Sequence, residues 1–430
     1  MVALSSRRGG QSASFAARNG RRVSAVCSAL GAFAVFSAGL VPSASAADVQ
    51  SQQWYLTAMK ADEMWKSSTG KGVKVAVIDS GVNPHTASLK GQVLAGEVPN
   101  AVAYKATEDY NGHGTSMAEL IAGTGAGGGL KGLAPGAKIV PYRIATTQLT
   151  EKEEAGKAPQ VAAAIRAAAD SDAKIISMSF GGGIDYPDRR AAVKYAQSKG
   201  KLMFASTGND AQTKNAIGFP AAYPYVVGVA ASDKNGTVGK FSEFGNYVDL
   251  ASPGLDVPTW CDNKFRSYCP SQGTSQATAI ASASAALIWS AHPKWTANQV
   301  LASLIDTAGR DWAKDDPSTY LGYGLIRPRK VLENPNFNPG PAGTDPLAKE
   351  NVTGVTDAAG NAPSAKASAS ASPQPSKGTT DDQAPAAATA DASDNTTMWI
   401  ALGAAAAVLV IGGGAFALIR SRRGAGSTHA

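Results

Sequence analysis

Short and long apolar runs alternate through the middle of this 430-residue chain. Short runs rich in Val, Ile and Ala are typical of buried strands, whereas longer or helically periodic runs are typical of helices. The predicted strands span 73–78, 138–143, 175–178, 202–205, 226–230 and 248–252. The predicted helices span 58–65, 161–169, 189–199, 280–289 and 301–308, and the charged residues 146–160 resemble a loop. This alternation predicts an α/β fold with a mainly parallel sheet and helices on both of its faces.

The first 46 residues have the layout of a secretory signal peptide. A long arginine-bearing region precedes an apolar stretch over 23–41, and the small residues Ala44, Ser45 and Ala46 follow. Small residues at this position are typical of a cleavage site, so we predict that 1–46 is a signal peptide. The alternative is an N-terminal membrane anchor that remains on the protein.

A second apolar stretch lies near the C-terminus. Residues 398–419 carry no charge, and as a helix they would extend roughly 33 Å, enough to cross the hydrocarbon core of a bilayer. Arg420, Arg422 and Arg423 follow directly, so the positive-inside rule places the predicted tail, 420–430, in the cytoplasm. We therefore predict a C-terminal transmembrane helix at 398–419 and a single-pass protein of the cell membrane.

Residues 336–397 differ in composition from the preceding part of the chain. They are rich in Ala, Pro, Ser, Thr and Asp and have almost no aromatic residues. Such a segment cannot bury enough apolar surface to fold, so we predict a disordered linker. The remaining stretch, 47–335, is long enough to form one globular domain with a large core, and it would lie outside the cytoplasm.

The net charge of +7 is confined to the two ends of the chain. Residues 1–46 contain five arginines and residues 398–430 contain three, with no acidic residue in either segment. Subtracting these eight charges from +7 leaves −1 for the middle of the chain. Because the basic residues belong to the predicted targeting and membrane segments, we expect no binding of nucleic acid.

Ser275 is a candidate nucleophile. It lies in the segment Gly273-Thr274-Ser275, directly before the apolar run that predicts a buried helix. The first turn of a helix has unpaired N–H groups and favours negative charge, which suits a serine that must become alkoxide-like. Such a serine also needs a base and a group that orients the base.

His113 and Asp79 are the candidates for the base and the orienting acid. His113 is one of four histidines, and it lies between two glycines in Asn111-Gly112-His113-Gly114-Thr115. Asp79 ends the first predicted strand, and functional residues collect at the carboxyl ends of strands in open α/β sheets. A single His or Asp in such a position is more often structural, so the assignment depends on the three residues together.

The three motifs together resemble those of the subtilisin-like serine proteases, which carry D-S/T-G, H-G-T and G-T-S in this chain order. The resemblance covers about 52–332 and implies a three-layer subtilisin-like fold for the domain at 47–335. It implies a catalytic triad of Asp79, His113 and Ser275, with Asn209 of Ser206-Thr207-Gly208-Asn209 in the oxyanion hole. The residues that it implies for the substrate cleft are Ser179, Phe180, Gly181, Ser206, Thr207 and Gly208.

The chain further resembles the mycosins, the membrane-anchored subtilisin-like proteases associated with type VII secretion in actinobacteria. Between the predicted cleavage site and Gln52 there is no room for an inhibitory propeptide, and the predicted span at 398–419 would supply the anchor. This resemblance implies peptide or protein substrates and a link to the type VII secretion machinery. Where the family often has His, Gly and Met, this chain has Ser116, Glu119 and Gln276.

Other candidate sites are limited to two cysteines and a glycine-rich segment. Cys261 and Cys269 would remain after signal cleavage, and two cysteines in an exported domain favour a disulfide. Their spacing, without a nearby His, is poor for zinc. Residues 123–129 contain a formal G-x-G-x-x-G, but a helix precedes it where a dinucleotide site needs a strand. We expect no cofactor and no metal centre, with a structural calcium ion left open.

Two alternatives to an active protease remain at the level of the sequence. The first is a catalytically silent scaffold of the same fold within a secretion complex. The second is a surface adhesin in which the linker acts as a stalk.

Overall fold

The secondary structure follows the apolar pattern over residues 49–353, the part of the chain that this computed structural model describes. The strands are β1 (Lys74–Asp79), β2 (Lys138–Arg143), β3 (Ile175–Met178), β4 (Leu202–Ser206), β5 (Val226–Ser232), β6 (Leu250–Pro253), β7 (Val257–Trp260) and β8 (Tyr268–Ser271). The α-helices are α1 (Trp54–Ala58), α2 (Ala61–Trp65), α3 (His113–Ala122), α4 (Lys152–Lys157), α5 (Val161–Asp170), α6 (Pro187–Ser198), α7 (Thr274–Ala291), α8 (Ala297–Thr307), α9 (Pro328–Leu332) and α10 (Ala348–Thr353). Short 3-10 helices lie at Val49–Gln52, Ala95–Glu97, Asn100–Val102 and Ala126–Gly128.

Strands β1 to β6 form one parallel sheet in the order β2-β1-β3-β4-β5-β6. The predicted mainly parallel sheet is therefore confirmed. Because β1 lies between β2 and β3, the strand order reverses beside β1. The crevice outside the carboxyl ends of strands at such a reversal is where ligands bind in open α/β sheets.

Helices cover both faces of the sheet. On one face, α7 is buried from Thr274 to Trp289 and packs against β3 to β6, and its Ala and Ser side chains permit a close approach. On the other face, α5 and α6 pack together, and α5 buries Val161, Ala164, Ile165 and Ala168 at helical spacing. Because α7 packs across the centre of this face, its packing sets where its N-terminal residues lie relative to the carboxyl ends of the strands.

Three local predictions differ from the structure. The predicted helix 58–65 is two short helices, because Lys60 between them adopts a left-handed conformation with φ of 55°. The charged segment 146–160, predicted as a loop, contains the helix α4. Strands β7 and β8 form an antiparallel hairpin that the apolar pattern did not indicate, since each strand contains a proline.

The predicted linker begins too early. Leu347 is buried in the core of the domain, and the side-chain Oδ1 of Asn351 accepts a hydrogen bond of 2.7 Å from the backbone N–H of Tyr225. The Tyr323 hydroxyl also donates to Glu350. Residues up to 353 therefore pack on the globular domain, because Phe337, Leu347 and several polar contacts attach a segment whose overall composition is linker-like.

No helix within residues 49–353 is long and apolar enough to cross a membrane. The predicted transmembrane helix at 398–419, the signal peptide at 1–46, the remaining linker at 354–397 and the tail at 420–430 lie outside the described residues.

Candidate active site

Asp79 and His113 meet at the carboxyl edge of the sheet. Asp79 is the last residue of β1 and its side chain is 3% exposed, and His113 is the first residue of α3. His113 Nδ1 lies 2.7 Å from Asp79 Oδ1, which is hydrogen-bond distance. Because the carboxylate can only accept, Nδ1 carries the proton and Nε2 is left as the basic nitrogen.

Asp109 holds the start of α3 in place. Its carboxylate accepts hydrogen bonds of 2.8 Å from the backbone N–H groups of Gly112 and Thr115, which have no partner within the helix. The Ser80 hydroxyl donates to Asp109 Oδ1 at 2.8 Å and accepts from the Gly114 N–H at 2.9 Å. Sequence reasoning missed Asp109, although an acidic residue shortly before a helix start is a capping signal.

Gly114 permits the close packing of α3 against the end of β1. A Cβ on Gly114 would lie 2.2 Å from the backbone oxygen of Gly81 and 3.0 Å from Asp79 Cβ. Any side chain here would force α3 away from β1. The glycine that follows His113 therefore sets the distance between the imidazole and Asp79.

The environment of His113 raises its pKa. Burial of the imidazole acts to lower the pKa, but the charge and hydrogen bond of Asp79, together with the charge of Asp109, raise it above the usual 6.5. The neutral imidazole, which can act as a base, therefore predominates only above this raised pKa.

Ser275 is the second residue of α7, at the helix N-terminus where the sequence placed it. Its side-chain Oγ donates a hydrogen bond of 3.1 Å to the backbone oxygen of Ser179, and the Ser179 hydroxyl donates to the Ser275 carbonyl at 3.1 Å. Within the described residues, Oγ makes no hydrogen bond to His113. Catalytic hydrogen bonds in free enzymes are often formed only with substrate, and a side-chain rotation of Ser275 would free Oγ from Ser179.

Asn209 follows the end of β4 and is held by Thr274. Its Oδ1 accepts hydrogen bonds from the Thr274 N–H at 2.9 Å and from the Thr274 hydroxyl at 3.0 Å. These bonds fix the amide, and its Nδ2 group lies close to Gly273, where a Cβ would come within 3.5 Å of it. The arrangement can supply a side-chain donor near the first turn of α7.

All of the predicted triad, oxyanion-hole and substrate-cleft residues except Thr207 line one cleft with a volume of about 490 Å³. Of the predicted residues, those in its wall are Asp79, His113, Ser179, Phe180, Gly181, Ser206, Gly208, Asn209 and Ser275. Thr207 does not line the cleft, because it is fully buried and its hydroxyl donates to the Val229 carbonyl of β5 at 3.2 Å. Side chains alternate across a strand-like segment, so Thr207 points away from the cleft while its two neighbours face it.

Cys261 and Cys269 form a disulfide with a Cα–Cα distance of 5.1 Å. The bond closes the β7–β8 hairpin, in which the rings of Trp260 and Tyr268 stack at 3.8 Å between centroids. The backbone N–H of Trp260 donates to Ser116 Oγ on α3 at 3.1 Å. The hairpin is thus braced internally and attached to the helix that carries His113. Within residues 49–353 there is no group of three or more His, Cys, Asp and Glu side chains that could hold a metal ion.

Glu119 is a buried acid on the same helix. It is 0% exposed, and its carboxylate accepts hydrogen bonds from the Thr86 hydroxyl at 2.7 Å and the Tyr268 hydroxyl at 2.8 Å. Burial raises the pKa of Glu119 to about 7, although these two hydrogen bonds favour the charged form. Glu119 therefore links α3 to the disulfide hairpin through a group that titrates near neutral pH.

The substitution Glu119→Gln is expected to stabilise the protein at pH 8 but not at pH 4. The folded-state pKa of Glu119 is raised above its unfolded value, so stability is lost as pH rises from about 4.5 to about 7. The wild type loses on the order of 3 kcal/mol of its free energy of unfolding at most, and glutamine avoids this loss because it does not ionise. Urea unfolding of both proteins across this pH range measures the difference, and a pH-independent difference would contradict the argument.

Comparison with known proteins places this geometry in a family. The model of the subtilase family matches residues 70–324. The chain is 33% identical over 285 residues to the minor extracellular protease Epr of Bacillus subtilis (strain 168), covering 64% of this chain but only 41% of Epr. It is 32% identical over 280 residues to thermitase of Thermoactinomyces vulgaris, covering 63% of this chain and 95% of thermitase.

Solved structures of mycosins are similar to this structure. The MycP3 protease from the type VII (ESX-3) secretion system superimposes with a TM-score of 0.54 and 28% identity, covering 65% of this chain and 87% of MycP3. MycP1 from Mycobacterium smegmatis superimposes with a TM-score of 0.56 and 25% identity, covering 69% of this chain and 88% of MycP1. Since the family match spans more than half of the chain, this protein belongs to the subtilase family of serine peptidases.

Proposed function

We propose that this protein is a membrane-anchored serine endopeptidase that acts outside the cytoplasm through Asp79, His113 and Ser275. The observation that carries the proposal is the 2.7 Å contact between His113 Nδ1 and Asp79 Oδ1 in the same cleft as Ser275. A base oriented by a buried acid beside a serine at a helix N-terminus is the arrangement that serine hydrolysis requires.

In the proposed reaction, Ser275 Oγ leaves the Ser179 carbonyl and attacks the carbonyl carbon of the scissile peptide bond. His113 Nε2 accepts the hydroxyl proton and later donates it to the leaving amine, while Asp79 holds the imidazole and stabilises its cation. Asn209 Nδ2 and the Ser275 N–H would bind the negatively charged oxygen of the tetrahedral intermediate. Asn209 can act at once because Thr274 already fixes its amide.

The substrate would bind as an extended peptide. The segment from Ser179 to Gly183 lines one wall of the cleft, and Gly182 already forms an antiparallel bridge with Phe219. Residues 181–183 are exposed, so backbone groups on the outer side of this segment can pair with a peptide in the manner of an added strand. Protein or peptide chains in extended conformation are therefore the proposed substrates.

The proposed link to type VII secretion rests on similarity to MycP3 and MycP1, which are described as proteases from the ESX-3 and ESX-1 type VII secretion systems. The uncharged stretch at 398–419, followed by three arginines, supports the proposed membrane anchor and a cytoplasmic C-terminus. A protease tethered to the outer face of the membrane would be positioned to meet proteins as they leave the cell.

The proposal predicts that a membrane-impermeant fluorophosphonate probe labels the full chain in intact cells, with the label on Ser275 and in the membrane fraction. Fluorophosphonates react with serines activated by a neighbouring base, and an impermeant probe reaches only protein outside the cytoplasm. A reporter fused after His429 should be active only in the cytoplasm.

Each part of the proposal can fail separately in this experiment. Labelling only after cell lysis would contradict the location, and labelled protein in the soluble fraction would contradict the anchor. Properly folded protein that is never labelled would support the catalytically silent scaffold instead.

A further inference from the structure

Glu243 is an acidic side chain buried in the wall of the cleft, and sequence analysis gave it no role. It is 5% exposed and lies in the connection between β5 and β6. Its Oε2 packs against two glycines, since a Cβ on Gly208 would lie 1.8 Å from Oε2 and a Cβ on Gly218 would lie 3.5 Å from it. Gly208 has a φ of +124°, so glycine is required there for its conformation as well as for the space that it leaves. The carboxylate therefore lies directly beside the residue that precedes Asn209.

The carboxylate of Glu243 has no ion-pair partner within residues 49–353. The charged side chains that act on it are those of Asp210 and Lys214, which are more than half exposed and lie 3.6 Å apart. Tyr247 is the other titratable group that faces it. Burial, followed by the charge of Asp210, raises the pKa of Glu243 to about 7, against the lowering effect of backbone hydrogen bonds and Lys214.

A buried carboxylate without an ion-pair partner is unfavourable in the free enzyme once it ionises. A cation that enters the cleft and meets the carboxylate would be stabilised by a charge-assisted hydrogen bond in a poorly solvated place. Glu243 is therefore poised to favour a positively charged group on the substrate over a neutral group of the same length.

The position of His113 indicates which substrate residue meets Glu243. Since His113 must donate a proton to the leaving amine, the residues after the scissile bond extend on its side of the cleft. That side opens into a second cavity of about 200 Å³, whose wall includes His113, Ser116 and Trp260. The side chain before the scissile bond, at position P1, therefore extends on the opposite side, beside Asn209 and Glu243.

We propose that Glu243 is a specificity-determining residue that selects lysine or arginine at the P1 position of the substrate. The glycines at 181–183, 208 and 218 leave space for the long apolar stem of such a side chain, and its charged end meets the carboxylate. This inference rests on the proposed function, because it assumes that Ser275 and Asn209 define where the scissile bond lies.

The test compares peptide substrates that differ only at P1, where lysine is replaced by norleucine, which keeps the four-carbon stem of lysine and lacks the ammonium group. With the full-length wild-type protein at pH 8.5, kcat/KM should be roughly 10- to 100-fold higher for lysine, as expected for a desolvated charge-assisted contact. Glu243→Gln should reduce this ratio at least about tenfold. The matched control is Asp210→Asn, which removes an exposed acid of the same cleft and should change the ratio less than about threefold.

The pH dependence of the ratio provides a measurement that needs no variant. The ratio for the wild type should rise between about pH 6 and pH 8, as Glu243 loses its proton. Titration of His113 affects both substrates equally and cancels in the ratio. In Glu243→Gln the ratio should be low and independent of pH.

Fluorophosphonate labelling of Ser275 separates failure of this inference from failure of the proposed function. Labelled enzyme that cleaves both substrates equally well, or whose lysine preference survives in Glu243→Gln, would overturn the role of Glu243 and leave the protease intact. Wild-type protein that is folded but neither labelled nor active would overturn both. A Glu243→Gln protein that fails to fold leaves the wild-type ratio and its pH dependence as the deciding measurements.

Discussion

The substitution Ser275→Ala is expected to abolish peptide hydrolysis, with a loss of about 10⁶ in kcat, the size known for the same change in subtilisin. Alanine removes the nucleophile, and the remaining groups of the cleft can then only polarise the substrate. The fold should persist, because Oγ makes one hydrogen bond, to the Ser179 carbonyl, and alanine is favourable in a helix. Hydrolysis of a fluorogenic peptide and thermal unfolding measure the two quantities.

Ser282→Ala is the matched control for this substitution. Ser282 is a fully buried serine on the same helix, α7, and its hydroxyl has no hydrogen-bond partner within the described residues. Its replacement should leave kcat within about threefold of the wild type. If Ser275→Ala kept near-normal turnover in a preparation free of other proteases, the nucleophile would have been assigned wrongly.

The sheet could be predicted from the sequence because its strands are buried on both faces. Val75 to Asp79 are all buried, and such strands appear in the sequence as unbroken apolar runs rather than as an alternation. The abrupt change to Asp79 then marks the carboxyl end of the strand, where the geometry of a parallel sheet concentrates functional groups. The same argument places Asn209 just beyond the end of β4.

The supporting residues of the site could not be predicted in this way. Asp109 and Glu243 lie in irregular segments without periodicity, and what they do depends on contacts with residues that are distant in the chain. Asp109 caps the N-terminus of α3, and its position depends on the hydrogen bond from the Ser80 hydroxyl, which follows the end of β1. Glu243 faces the cleft only because Gly208 leaves room above its carboxylate.

Tertiary packing also overrides composition at the edge of the domain. Residues 336–353 have the composition of a linker, yet Leu347 is buried and Asn351 caps a backbone N–H of another segment. Apolar residues as isolated as Phe337 and Leu347 give no periodic signal in a polar stretch, so only their partners reveal where the domain ends.

The substitution Asp79→Asn is expected to lower kcat by about 10⁴, as in trypsin, where the corresponding change leaves the geometry intact but gives the wrong tautomer. The Asp79 carboxylate accepts the Nδ1 proton of His113 at 2.7 Å and so keeps Nε2 unprotonated. An asparagine amide can instead donate to Nδ1, which would place the proton on Nε2 and block its role as a base.

The same substitution should move the pH profile to lower pH. Asp79 raises the pKa of His113, so its neutralisation lowers that pKa and extends the neutral imidazole to more acidic solution. The acidic limb of the kcat/KM profile for Asp79→Asn should therefore lie at lower pH than that of the wild type. The activity itself is much smaller than that of the wild type at every pH. Thermal unfolding of both proteins is the control, because a lost fold would also lower activity but would not displace the limb. An unmoved limb, or activity within tenfold of the wild type, would mean that Asp79 does not orient His113.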